Sequence, residues 1–470
     1  MYRKKLLSCL LFPCLTLAIA VADEAPAPKV SGTLTVSITQ GTIDADMTIT
    51  DMPPIKDYLL RLNRGLNVEF FRNPEQGFNY GTEQQDVAQR PESTGYYLPD
   101  STGKAKFLPS SIRIKYTGKF PVYDDPKTAS DQGDWRGHIA FNGKTLRTDA
   151  EQAAWLPVLY DVAHDRDHVN VRYDIRVRCD DCTSLYINGS APVKAHDAEF
   201  VSARPVEPAL LLGNYDFQKV DGNFYLNTGL DAQGIKALSS ITTTAQRYDA
   251  AHLDIPYGQA VSYVGAVPTS NRNGWAFVSY PTIFVVGPPG KYSLIGMVAP
   301  ENRVDTAAYL YHELGHYYFG TLRQFNSPLG GALEESLTEY LADRGLHDTN
   351  KDFSLAANLQ KKLDYLKGRT CPAFKQEPRG QGCSYEAYAY NFAPLIWFAV
   401  QQEIGVAAMD KWLHLMITEP TTFTDYHFMM KTLGEVVRDK AKLEKLESHY
   451  FSGPAALANA EMELRQHQLL

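Results

Sequence analysis

Beyond residue 22 no segment approaches 18 unbroken apolar residues, so nothing there is long enough to cross a bilayer as a helix. Internal repeats and low-complexity tracts are also missing, which argues against a solenoid or a disordered tail. There is no basic excess: 46 Lys and Arg stand against 54 Asp and Glu, a net charge of -8. Loss of Arg3, Lys4 and Lys5 with the leader makes the rest more acidic still. Nucleic acid and anionic membrane are therefore disfavoured as partners. Cysteine is scarce, with six in 470 residues. Those beyond the leader form two local pairs, Cys179 with Cys182 and Cys371 with Cys383. In an exported chain each pair reads as a disulfide closing a small loop. The sharper reading of Cys179-Asp180-Asp181-Cys182 is a redox motif or half of a zinc site, but no second ligand pair accompanies it.

What is present begins with a targeting pattern. Tyr2-Arg3-Lys4-Lys5 is basic, Leu6 to Val21 is mostly apolar, and Ala20-Val21-Ala22 fits a small-residue cleavage site. Met1–Ala22 is therefore expected to be a signal peptide, and the mature chain a secreted or periplasmic protein without stable membrane insertion. From about Gly32 to Val206 apolar and polar residues alternate, as in Leu34-Thr35-Val36-Ser37-Ile38 and Ser111-Ile112-Arg113-Ile114-Lys115-Tyr116. Gly, Asn, Asp and Pro clusters separate these runs, so an antiparallel β-domain is expected. Glu75 to Lys104 reads as a long polar loop. Near Pro208 the pattern changes. A strand at Phe224–Leu226, a helix at Asp231–Leu253, a strand at Pro281–Val286 and an edge strand at Tyr292–Val298 are expected. From Asp352 helices dominate: Leu355–Lys367, Phe392–Ile404, Ala407–Ile417, Tyr426–Arg438 and Lys440–Tyr450. The expected layout is α+β and multidomain: leader 1–22, β-domain 23–207, α+β core 208–350, and a helical lobe 351–470.

One pentapeptide carries chemistry. His312-Glu313-Leu314-Gly315-His316 places two imidazoles one helical turn apart on one face. Glu335 follows after eighteen intervening residues. It lies on a second helical stretch, Ala332 to Arg344, with Leu333, Leu337, Tyr340 and Leu341 as its apolar stripe and Gly345 as its expected stop. The motif helix is expected to start at Asp305 or Thr306 and to end near Gly320. Two His and one Glu are the donors of a single Zn²⁺ with one open position, and Glu313 is placed to take a proton from water. Glu339, one turn after Glu335, either orients a histidine or is a solvated carboxylate, and Glu334 has the same two readings. His164 and His168 sit in a charged loop where a second metal is the less favoured reading.

The spacing H-E-x-x-H, eighteen residues, then Glu resembles the gluzincin metallopeptidases of the aminopeptidase N and leukotriene hydrolase type, and their glycyl-aminopeptidase relatives. Leu333-Glu334-Glu335-Ser336-Leu337-Thr338-Glu339-Tyr340 is similar to the family's W-L-N-E-G-F-A-x-Y segment. Tyr390-Asn391-Phe392-Ala393-Pro394-Leu395 is similar to the segment whose tyrosine is catalytic, and Ala153-Ala154-Trp155-Leu156-Pro157 to a W-x-P strand of the N-terminal domain. The resemblance implies a thermolysin-like core, a cleft between core and helical lobe, and Tyr390 as hydrogen-bond donor to the oxyanion. It also implies a substrate-binding edge strand, here matched to Gly296 and Met297, without the family's amine-binding glutamate. Ser336 replaces the usual glycine after the third ligand, and no large C-terminal repeat domain follows.

The expected activity is hydrolysis of a peptide or small protein by an exported zinc metallopeptidase. A zinc hydrolase of an epoxide or ester, or an inactive binding protein on the same scaffold, are the other readings. End-trimming versus internal cleavage, and oligomeric state, are open at this level.

Overall fold

A computed structural model describes residues 27–74, 82–84, 92–125, 135–266, 268–270, 274–287, 293–376 and 383–470. The leader lies outside the described residues. Among those described, no helix is long and apolar enough to cross a membrane.

The period-two alternation becomes strands. Thr42–Thr50 buries every second residue and leaves the intervening ones partly exposed. Six strands form one sheet in the order Asp197–Val206, Val171–Arg178, Lys29–Ser37, Thr42–Thr50, Ile112–Lys119, Leu66–Arg72. The antiparallel domain expected from sequence is corrected in one respect: Lys29–Ser37 pairs with Val171–Arg178 in parallel. Parallel neighbours need a long crossover, and most of this half of the chain runs between them. The polar stretch from Glu75 is also not all loop. Thr82–Gln84 and Ser93–Tyr97 extend a second sheet through Tyr58–Asn63 to Val158–Asp161 and Arg166–His168. A four-stranded sheet from Ala140–Phe141 to Leu210–Gly213 completes this half. Trp155, fully buried, donates its indole N–H to the Pro208 carbonyl at 2.8 Å.

The following half begins with a mixed five-stranded sheet, ordered Phe217–Val220, Asn223–Leu226, Ser262–Ala266, Thr282–Val286, Trp275–Ser279. Asp231 caps the helix Ala232–Leu253 by accepting from Gly234 N. The expected edge strand at Tyr292–Val298 is corrected from Ser293 onward, Tyr292 lying outside the described residues: Leu294–Met297 is a short helix capped by Ser293. Among the described residues the edge is Trp275–Ser279, paired with Thr282–Val286 alone. Ser293 favours an N-cap, and that local bond overrides the apolar pattern.

The motif helix runs Arg303–Gly315, so it begins before Asp305 and ends before Gly320. The ligand helix runs Gly330–Thr349. Gly345 is inside it rather than at its end, because a Cβ there would lie 2.9 Å from the Tyr311 ring. The helices Leu355–Tyr365, Ala393–Ile404, Val406–Thr418, Tyr426–Val436 and Lys440–Leu446 follow the expected order, and Ala456–Gln466 adds one more. They close around Trp397, Trp412, Phe374 and Phe451.

Candidate metal centre

His312 is on the last turn of the motif helix and His316 on its C-cap. Leu310, Tyr311 and Leu314 bury the opposite side of this helix in the core. Gly315 lets the ligand helix approach: a Cβ there would be 3.0 Å from Thr338 Cγ2. Glu335 is thereby brought between the two rings, its Oε2 lying 3.1 Å from His312 Nε2 and 3.5 Å from His316 Nε2.

Each histidine is held by its other nitrogen. His312 Nδ1 donates to Glu339 Oε2 at 2.9 Å, and His316 Nδ1 to the Phe319 carbonyl at 3.1 Å. Both Nε2 atoms are thus left for a shared ligand. Glu339 is thus paired with His312 rather than left in solvent. One donor atom each from His312, His316 and Glu335 lies within 4.8 Å of the others. Two imidazoles and a carboxylate are the donor set of a three-ligand zinc site, so the residues fit the ion.

Charge follows this geometry. Burial pushes the Glu335 carboxyl up, but the two imidazoles outweigh it and hold the group far below the usual range. Burial lowers His316, yet Glu335 outweighs that and sets it at about 9. Glu313 is pushed up by burial, against the pull of His312 and His316. A raised carboxyl is a better proton acceptor, as a general base needs. Tyr390 lies on a wide π-type turn, Tyr388–Phe392, and its hydroxyl donates to Glu335 Oε2 at 2.8 Å.

These groups line a cleft of about 1100 Å³. One wall is the edge strand, through Trp275, Ala276, Phe277 and Val278. Gly296 and Met297 are not among the lining residues, which corrects their expected role; the helix around them packs beside the motif helix instead. The edge strand itself carries no acidic residue. Glu334 lines the cleft, 3.9 Å from His316 Nδ1, and burial pushes its carboxyl up to about 8.

Several cleft residues had no signal in the sequence. Arg136 is the clearest. It contacts Asp149 at 2.7 Å, Glu151 at 3.0 Å and Glu207 at 3.1 Å, and lies over the Phe277 ring. These partners are scattered in sequence, and no local spacing marks them. The other candidates settle differently. Cys179 is bonded to Cys182 and Cys371 to Cys383. With both sulfurs of the first pair joined, the half-site reading falls. Asp181 instead accepts from the backbone N–H groups of Ile38 and Thr39. His164 pairs with Asp161 at 2.6 Å and belongs to no metal-type cluster among the described residues.

The same architecture occurs in solved structures. Yeast LTA4 hydrolase superposes with a TM-score of 0.61 at 14% identity, over 90% of this chain and 66% of its own. An M1 zinc metallopeptidase variant from Deinococcus radiodurans, bound to a Tyr-Ser-Ala substrate, gives 0.61 at 15% identity, over 90% and 93%. The unsubstituted Deinococcus enzyme gives 0.58 at 14% identity, over 91% and 94%. The fold is that of the M1 zinc metallopeptidases. At this identity the likeness is one of fold, and the chain spans just under two thirds of the yeast protein. No family model and no curated protein matches the sequence.

Proposed function

We propose that this chain is a zinc-dependent peptidase of the aminopeptidase type. The observation that carries the reading is the convergence of His312, His316 and Glu335 in one cleft with Glu313, Tyr390 and the last strand of a sheet. Zinc held by the three ligands would supply a Lewis acid that acidifies water from about 15.7 toward about 7 and polarises a carbonyl. Glu313 takes the proton from the attacking water and returns it to the leaving amine. The Tyr390 hydroxyl, released from Glu335, donates to the developing oxyanion. The strand Trp275–Ser279 offers backbone groups to an extended substrate, which favours a peptide over an epoxide or ester. The Deinococcus relative's Tyr-Ser-Ala substrate supports the same class.

Glu313→Gln tests the reading. It should abolish peptide hydrolysis while zinc content stays at one per chain. Retained activity in that variant, or a wild type that binds no zinc, overturns the proposal. Mass spectrometry of products from peptides with free and acetylated N-termini distinguishes end-trimming from internal cleavage. The lack of an edge-strand carboxylate leaves recognition of a free amine to other groups. Export is part of the same reading, supported by the basic-then-apolar leader and the two disulfides.

A further inference from the structure

A closed ring of contacts passes through the centre and beyond it. His312 Nδ1 donates to one oxygen of Glu339, and Lys362 Nζ donates to the other. Lys362 Nζ also donates to the Tyr390 carbonyl at 3.0 Å. The Tyr390 hydroxyl donates to Glu335 Oε2, which faces His312 Nε2 and completes the ring. Lys362 is the member with no place in the metal motif. It comes from the helix Leu355–Tyr365, whose other buried residues are Leu355, Leu359 and Leu363. Its side chain is 7% exposed and also lies 3.2 Å from Asp343 Oδ2. An ammonium at an otherwise leucine-lined face is costly to desolvate, so it is kept only where the polar groups around it use the charge. The charge therefore serves what it touches.

We propose that Lys362 is a positioning residue that sets the His312 ligand and the Tyr390 donor together. Through Glu339 it fixes which His312 nitrogen faces the metal. Through the Tyr390 carbonyl it holds the π-type turn that aims the hydroxyl. One cation thus keeps the metal and the oxyanion donor in register, although it touches neither metal nor substrate. This rests on the zinc-peptidase reading.

The test uses the full-length protein with Lys362→Met, Lys362→Arg, Tyr390→Phe and the Lys362→Met/Tyr390→Phe double variant. Zinc affinity is read by chelator competition, independently of catalysis. Lys362→Met should weaken zinc binding about 10- to 100-fold, the usual effect of losing an outer-shell partner. At saturating zinc its kcat should fall about 10- to 100-fold with KM little changed. The double variant should lose little more than Tyr390→Phe alone, because in Lys362→Met the hydroxyl is already misplaced. Lys362→Arg, which keeps the charge, should recover most of the zinc affinity. If Lys362→Met fails to fold with two carboxylates uncompensated, Lys362→Met/Asp343→Asn removes the surplus charge, keeps Glu339, and is read the same way. Unchanged zinc affinity, or fully multiplicative losses from Lys362→Met and Tyr390→Phe, overturns the proposal. So does a lower melting temperature with zinc affinity and kcat intact. A wild type that holds zinc but cleaves no peptide sinks the peptidase reading alone, since the zinc arm still judges Lys362. A wild type that binds no zinc overturns both.

Discussion

In the proposed mechanism Tyr390 is the residue at which catalysis and metal binding should separate. Its hydroxyl stands beside the Glu335 oxygen, whereas His312, His316 and Glu335 supply the donor atoms. Tyr390→Phe removes one O–H and keeps the ring. We expect kcat to fall about 100- to 1,000-fold, with KM within severalfold and zinc content unchanged. Steady-state kinetics beside metal analysis check this; a parallel loss of zinc would mean that the hydroxyl only props the ligand. Removing the metal acts on stability instead. Three ligands from two helices meet only in the folded chain, so zinc at about 1,000 times its Kd should add about 4 kcal/mol. Chelation should lower the melting temperature and added zinc restore it. Both ligand helices were legible in the sequence because His312, Glu313, His316 and Glu335 lie within one short span. Arg136 and Lys362 were not: the partners of Arg136 are scattered along the chain, and those of Lys362, though near in sequence, obey no known spacing rule.

Between the two ligand-bearing helices, packing is tight at small residues. Gly345 is the clearest case. Helix propensity alone favours alanine there by about 1 kcal/mol. A Cβ would instead sit 2.9 Å from Tyr311 ring atoms and 3.0 Å from the Tyr248 ring, both in the packed interior. Overpacking of this kind costs about 1–3 kcal/mol. Gly345→Ala should therefore destabilise the protein by about 1 kcal/mol, despite the gain in propensity. Urea midpoints decide, and a stabilised variant would show that the helices can separate freely. The same glycine explains a misread boundary. Local punctuation reads Gly345 as a stop, but tertiary contact is what requires it. Tyr292–Val298 misleads in the opposite direction, its apolar residues resembling a strand while the Ser293 cap makes a helix. The real edge, Trp275–Ser279, is five residues long and announces itself only by pairing.

Across the whole molecule, the cleft depends on how the N-terminal sheets meet the zinc-site half. Asn188 Nδ2 donates to the carbonyls of Ser279 and Tyr280, and Asn326 Nδ2 to that of His164 at 2.8 Å. Arg136 anchors the centre of this junction, reaching the Val278 carbonyl of the edge strand at 3.4 Å. One guanidinium is shared there among three carboxylates, so the charges do not balance. Burial, with Asp149 and Glu151 nearby, pushes Glu207 up to about 8 against the pull of Arg136. The folded state thus binds a proton that the unfolded chain gives up near 4.5. A raised carboxyl contributes stability that is full below about 4.5 and is lost as pH rises toward about 8. Glu207→Gln keeps a neutral side chain at every pH and should escape that loss. Relative to wild type, the variant should therefore gain on the order of 1–3 kcal/mol between pH 5 and pH 8.5. Urea unfolding at those two pH values measures the gap. A gap that stays constant would mean that Glu207 is ionised throughout, with Arg136 satisfying all three acids, and the junction would then be insensitive to pH.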